Sequence, residues 1–268
     1  MEINRRRFFQ IGLAAAASEM LAQAEPSQAQ GAGISILANR ARTYRNIEVI
    51  ASNHPRAEKY IPLVLDAVEK HHRIYYVDPV LFLGLIKRES NFGKHLISPV
   101  GAAGPVQLMP STAKDMGLNV YMPGYFSKAR KLSGSATRNA IQAIEELKKS
   151  NWNRAVKSMK QSHTDREKAK KHYDRYGKEL RSQIAGKRED ELVKVDGRFV
   201  DPLAVDRGVR HLAYLLKKRD GDIREALSAY NAGLRRVTNA FGIPYIKETV
   251  DYQNRVFNFY KYWSVRAI

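Results

Sequence analysis

The sequence predicts a mainly α protein, and three observations carry that prediction. Apolar residues recur at three- and four-residue spacing in several segments, helix start and stop signals flank those segments, and regular strand alternation is scarce. No repeat of fixed period is visible. From Tyr60, the residues Ile61, Leu63, Val64, Leu65, Ala67 and Val68 cluster ahead of Lys70, His71, His72 and Arg73, basic groups suited to a helix C-terminus. Asp78-Pro79 then supplies an N-cap and a first-turn proline for a helix from Val80 to Ser90. Ser98 to Pro110 is rich in Gly, Pro and Ser and reads as irregular structure, after which Ser111-Thr112 restarts a helix. Asp201-Pro202 is a second N-cap and proline pair, opening a helix that carries Val205, Val209, Leu212, Leu215 and Leu216. Ile223 to Tyr230 begins another, which Asn231-Ala232-Gly233 ends. Tyr245, Tyr252, Val256, Phe257, Tyr260 and Trp263 provide apolar surface for a last helix.

Composition bounds the function. The 268 residues are 44% hydrophobic, enough to bury a sizeable core. Complete absence of Cys excludes disulfides, thiolate metal sites, a thiol nucleophile and a lipid anchor attached through an N-terminal cysteine. A formal charge of +19 favours polyanionic partners: nucleic acid, anionic lipid headgroups or anionic wall polymers. Zinc-finger spacing, an RNP-like aromatic motif and a Gly-rich phosphate loop are all missing, which argues against nucleic acid. The seven His residues show no paired spacing suited to zinc, so no metal and no cofactor is implied.

The N-terminal segment has the order of a targeting signal. Arg5, Arg6 and Arg7 precede Phe8 and Phe9, the small apolar run Ile11 to Ala17 follows, and Ala22-Gln23-Ala24 offers a cleavage site. The arginine run before a weakly hydrophobic stretch looks like a twin-arginine signal. Residues 1–30 are therefore expected to be an export signal and linker, with the aperiodic stretch extending from Ala24 to Gly33. A basic amphipathic helix retained on the protein is the alternative. The apolar run is too short to span a bilayer, so the expected product is a soluble protein of the periplasm or cell envelope. Residues 40–118 and 199–268 are read as the main domain. Between them, 119–198 is crowded with Lys128, Arg130, Lys131, Lys148, Lys149, Lys168, Lys170, Lys171, Lys187 and Arg188, and is expected to be a basic, helical, partly mobile insertion.

One polar residue stands out on the second predicted helix. Phe82, Leu85, Ile86 and Glu89 fall at i, i+3, i+4 and i+7, so a carboxylate lies in line with an apolar stripe. Burial disfavours the charged form of a carboxyl and can lift its pKa from about 4.3 toward 6 or 7, the range a general acid needs at neutral pH. Periodicity alone leaves a second reading open, a carboxylate that reaches solvent or pairs with Lys87 or Arg88.

Short motifs around Glu89 resemble the soluble lytic transglycosylase family. Glu89-Ser90-Asn91-Phe92 is similar to its Glu-Ser motif, Ser98-Pro99-Val100-Gly101-Ala102-Ala103-Gly104 to its Ser-x-x-Gly-Ala-x-Gly segment, and Gln107-Leu108-Met109-Pro110-Ser111-Thr112-Ala113 to the continuation. Downstream, Ala229-Tyr230-Asn231-Ala232-Gly233 resembles its Ala-Tyr-Asn-Ala-Gly motif, and Pro244-Tyr245 with Glu248, Thr249 and Tyr252 its last one. The likeness covers about Tyr60 to Leu118 and Asp201 to Tyr260. It implies an α-rich lysozyme-like domain that cleaves the β-1,4 bond between N-acetylmuramic acid and N-acetylglucosamine in peptidoglycan without water. Glu89 would then be the single acid and base. The resemblance places Tyr230 to hydrogen-bond Glu89 or the sugar, and Ser98, Gln107, Met109 and Asn231 to contact glycan. Ser90 and Tyr252 are possible cleft residues. Each also has a plainer reading: loop bonding for Ser98 and Gln107, core filling for Met109, turn support for Asn231, and core packing for Tyr230 and Tyr252.

Two departures from the family pattern are visible. Pro105-Val106 stands where the family reads Leu-Met, removing a backbone donor and stiffening the chain. The basic insertion has no counterpart in the family. It is expected to grip anionic peptide stems or wall polymers, dock on an envelope assembly, act as a lid, or remain a solvated helical pair. A hydrolytic muramidase and a catalytically weak wall-binding or scaffold protein are the alternative functions.

Overall fold

The computed structural model describes residues 30–266, and within them the chain is mainly α. The α-helices are α1 (Gln30–Asn53), α2 (Tyr60–His71), α3 (Pro79–Ser90), α4 (Pro110–Asp115), α5 (Gly124–Lys148), α6 (Trp152–Ile184), α7 (Glu189–Val195), α8 (Asp201–Lys218), α9 (Ile223–Ala232), α10 (Leu234–Asn239) and α11 (Lys247–Arg266). The expected leader lies outside the described residues except for Gln30, which opens α1. Residues 30–33, expected as linker, are thus helical.

Helix α3 is the axis of the main core. Every residue from Pro79 to Ile86 is buried, so this helix is apolar all round, as a helix enclosed by neighbours must be. Asp78 caps it, accepting from the Val80 and Leu81 amides at 2.8 and 3.1 Å. Helix α2 packs on α3 and α8, and α11 lies across α3 and α9. Gly84 lets α11 come close: a Cβ there would sit 3.4 Å from the Val256 carbonyl and 3.7 Å from the fully buried Trp263.

Asp201, predicted as an N-cap, is instead the first residue of α8, with Val200 in the cap position and no side-chain cap bond. Its carboxylate accepts from Lys59 Nζ at 2.7 Å and from the Tyr60 hydroxyl at 3.3 Å. The start of α2 has captured the side chain that local sequence assigned to α8.

The region from Ile97 to Leu108 is irregular, as its composition predicts, and is held by isolated antiparallel bridges of Ala103 with Ile97 and Leu108. It rests on a second, smaller core of Ala103, Phe126, Tyr176, Leu180, Phe199 and Val200, among others. At its centre is Arg198, fully buried with Asp196. The guanidinium donates to Asp196 Oδ1 and Oδ2 at 2.9 and 2.7 Å, to the Gly101 and Leu108 carbonyls at 2.8 and 3.1 Å, and to the Tyr176 hydroxyl at 2.7 Å. Those bonds offset its desolvation and tie the irregular segment to the foot of α6. Gly104 (φ +80°) makes the same approach possible, since a Cβ there would lie 2.0 Å from the Arg198 carbonyl oxygen.

Residues 119–198, expected to be basic and helical, hold two long continuous helices, α5 and α6, packed antiparallel. The reason lies in small residues spaced by seven. Ala129, Ala136 and Ala143 of α5 are buried, as are Ala155, Ser162 and Ala169 of α6. Ser162 donates to the Ala136 carbonyl at 2.8 Å, which sets the register and pairs the other seam residues in turn. Charge thus covers the outside of a seam that the composition alone conceals.

Candidate active site

Glu89 sits in the last turn of α3, the helix whose N-terminal two thirds fill the core. Asn91 (φ +50°) and Phe92 (φ +62°) turn the chain sharply after it, and Phe92 is buried. The side chain is half-buried at the rim of the core. Burial pushes its carboxyl up to about 7, against opposing contributions from a hydrogen bond with Tyr252 and the charge of Arg88. No ion pair to Glu89 occurs among the described residues. Lys87 is turned aside to Asn91 Oδ1 at 2.5 Å, and the Arg88 guanidinium lies over the Tyr252 ring, 5.4 Å from its centroid. Neither Lys87 nor Arg88 therefore pairs with this carboxylate, which keeps partial access to solvent.

The phenol that reaches Glu89 belongs to Tyr252 of α11, which donates to Oε1 at 2.7 Å. Tyr252 is buried in the core and touches the carboxylate from there. Tyr230, on α9, is not the residue bonded to Glu89: its hydroxyl donates to the Val106 carbonyl at 2.9 Å. It remains within electrostatic reach of Glu89. Burial first, and the carboxylate second, hold both phenols well above the usual 10.0. Val106 is fully buried, against Gly208 of α8 and beneath Tyr230, and Pro105 is buried beside it. The departure at 105–106 thus packs inward.

Of the other predicted positions, Ser98, Gln107 and Met109 lie in the irregular segment before α4, whereas Ser90 belongs to α3 and Asn231 to α9. Ser98 Oγ accepts from the Ala102 amide at 2.9 Å, and Gln107 (φ +47°) donates to the Gly104 and Leu96 carbonyls at 2.8 and 3.2 Å. Met109 packs against the smaller core. Asn231 Oδ1 accepts from the Thr249 hydroxyl at 3.2 Å, and the buried Ser90 donates to the Ile86 carbonyl at 3.2 Å. Ser98 and Gln107 thus hold their own loop, Ser90 its own helix and Asn231 the start of α11, while Tyr252 is the group that bonds Glu89 and Tyr230 lies within its electrostatic reach. His211 of α8, one of the seven histidines that no sequence motif singles out, lies against Tyr230 with ring centroids 5.3 Å apart and planes tilted by 51°. Burial lowers its pKa to about 4, so it is neutral at physiological pH and adds no charge. Its position on the buried side of α8 follows from its three-residue offset from Gly208.

The description "Transglycosylase SLT domain" matches residues 66–182 and 182–253. The chain belongs to the transglycosylase SLT domain family. Curated relatives of this SLT chain include membrane-bound lytic murein transglycosylase C of Haemophilus influenzae, 40% identical over 58 residues, which is 22% of this chain and 15% of the relative. The protein of the same name from Actinobacillus succinogenes is 36% identical over 78 residues, 28% of this chain and 21% of the relative. That from Actinobacillus pleuropneumoniae is 36% identical over 75 residues, 28% and 20% of the respective chains. The likeness thus spans about a fifth or less of these relatives' own length. No solved structure matches the chain significantly. The fold of this SLT chain is mainly α and lysozyme-like, and the chain adds a long helical hairpin beside the glutamate-bearing core.

Proposed function

We propose that this protein is a peptidoglycan lytic transglycosylase, cleaving the MurNAc-β-1,4-GlcNAc bond and leaving 1,6-anhydro-MurNAc ends, with Glu89 as single general acid and base. The observation that carries the reading is the Glu89 carboxyl, raised to about 7 by burial and held at Oε1 by Tyr252. A pKa near neutrality supplies both states that the cycle needs. Protonated Glu89 delivers its proton from Oε2 to the glycosidic oxygen as the bond to the muramic C1 breaks. The carboxylate so formed removes the proton of the muramic C6 hydroxyl, whose oxygen closes on C1. Glu89 finishes protonated and water is not consumed. The Tyr252 phenol donates throughout, and its bond to Oε1 keeps Oε2 turned toward the sugar. A retaining or inverting hydrolase needs two carboxyls at set separation; in this scheme one suffices.

Residues 40–118 and 199–268 form the cleaving unit in this proposal, with 119–198 as an insertion and 1–30 as a twin-arginine-type export signal to the periplasm or cell envelope. Ser98, Gln107, Met109 and Asn231 shape the walls along which the glycan lies, and the loop groups bonded to backbone act by holding those walls. The names of the relatives and the match to the family support the substrate class.

The test is mass spectrometry of muropeptides released from purified peptidoglycan by the wild-type protein and by Glu89→Gln. Anhydro-ended products from wild type alone are expected. Products heavier by one water would assign a muramidase, and unchanged release by Glu89→Gln would refute the role of Glu89.

A further inference from the structure

The hairpin of α5 and α6 has a free end that the SLT reading leaves unused. Ala136 and Ala143 face Ala155 and Ser162 across the seam, and the Ser162 bond to Ala136 fixes which sides of the two helices flank it. Counting 100° per residue from that seam puts Asn139, Asp165 and Gln161 on one flank. There Asp165 accepts from Asn139 at 3.3 Å and from Gln161 at 2.8 Å, closing a polar network. Ile141 and Ile144 of α5 and Trp152, Val156 and Met159 of α6 fall on the opposite flank, and because the helices are antiparallel they share one face. All five are exposed, Trp152 at 67%. Alanine and Ser162 fill the seam, so these larger side chains lie outside it and keep about half or more of their surface in water. They form an apolar patch in water at the far end of a long arm.

Charge surrounds the patch. The segment 124–184 holds sixteen Lys and Arg against six Asp and Glu. Lys148, Lys160, Arg166 and Lys170 are exposed on the same flank as the patch, with Glu167 as its acidic exception. An anionic polymer in water would engage the lysines but would leave a tryptophan, two isoleucines, a valine and a methionine without a partner. A bilayer with anionic headgroups satisfies both, because apolar side chains enter the acyl boundary while long basic side chains lie among the phosphates. An exposed Trp flanked by Lys is the pattern favoured at that interface. No described helix is long and apolar enough to cross a membrane, which fits seating on the surface.

We propose that the free end of the α5–α6 hairpin docks on an anionic lipid bilayer through the face bearing Ile141, Ile144, Trp152, Val156 and Met159. This inference stands apart from the assignment of Glu89. The chain has two Trp residues, and Trp263 is fully buried, so a change in emission on adding vesicles reports Trp152.

The experiment titrates the full chain with phosphatidylethanolamine/phosphatidylglycerol vesicles and with phosphatidylcholine vesicles, reading Trp emission, quenching by brominated lipid and co-sedimentation. Expected are a blue shift and quenching with the anionic vesicles, weakened by salt. Ile144→Ser/Trp152→Ser and, separately, Lys148→Gln/Lys160→Gln should each reduce co-sedimentation at least about tenfold with helical content unchanged. Equal binding to phosphatidylcholine, unmoved emission, or full binding by both variants would overturn the proposal. So would a patch-dependent co-sedimentation with purified wall in the absence of vesicle binding, which would assign the face to the wall.

Discussion

Two glutamates of this chain take opposite courses. Glu89, at the rim of the main core, receives one phenolic hydrogen bond and is pushed up to about 7 by burial. Glu179, at the foot of α6, accepts from Tyr125, from Tyr121 at 2.7 Å and from Arg175 Nε at 2.7 Å, and is drawn down to about 2. Tyr125 makes the largest contribution there, followed by Arg175 and Tyr121. Both sites offer tyrosines. The difference is the balance between donors supplied and water removed: several donors at an open position favour the charged form, whereas a single donor at an enclosed position does not compensate the lost hydration. Nearby, Asp196 and Arg198 show a third outcome, complete burial with mutual pairing and further bonds to backbone and Tyr176.

The contrast is broken most directly at Glu89. Glu89→Gln should retain the fold and lower kcat on peptidoglycan about 10³-fold or more, measured by muropeptide release. Cutting the charged pair comes next: Arg198→Met leaves the Asp196 charge buried with only the backbone amides of residues 121 and 198 as donors, and should cost about 4 kcal/mol in urea denaturation. A loss below about 1 kcal/mol would mean that water replaces the pair and that the hairpin foot is looser than its bonds imply.

A pH dependence sharpens the comparison further. The folded pKa of Glu89, about 7, exceeds the ordinary 4.5, so the stability present below 4.5 is lost as pH rises through 7. The shift corresponds to about 3 kcal/mol. Glu89→Gln should abolish that decline when urea denaturation is compared at pH 5 and pH 8, and parallel declines in both proteins would locate the loss elsewhere.

Tyr252→Phe removes the donor that favours the carboxylate. It should raise the Glu89 pKa and move the alkaline limb of the kcat/KM profile upward, with kcat reduced about tenfold. The smallest effect belongs to Glu179. Its lowered pKa contributes stability that is present above pH 4.5 and lost as pH falls through about 2, so Glu179→Gln should flatten only the acid limb of thermal denaturation and leave turnover unchanged.

Much of the helical layout was legible because its signals are local. Asp78-Pro79 caps α3 and Gly233 ends α9, each within a few residues of the group it serves. The failures came where a distant partner competed. Asp201 carries every local mark of a cap, but Lys59 and Tyr60 take its carboxylate from more than a hundred residues away. The seam of α5 and α6 was hidden because its Ala residues are as common on helix surfaces as in helix contacts, and only their sevenfold spacing on both strands of the hairpin betrays it. At the site, the apolar line through Phe82, Leu85 and Ile86 pointed to Glu89 as a perturbed carboxyl. Which tyrosine reaches it was beyond local reading, since α9 and α11 both deliver one and their relative placement is decided by packing on α3. His211 and Arg198 carried no motif at all; their significance is entirely that of their neighbours.

The seven-residue spacing between Ala129, Ala136 and Ala143, answered by Ala155, Ser162 and Ala169, makes hairpin length a separable variable. Inserting or deleting one such unit in both helices would move the tip by about 10 Å while every contact at the foot, from Arg198 to Phe126, stayed as it is. The reach of the arm is therefore variable in steps that leave the packing at its base undisturbed.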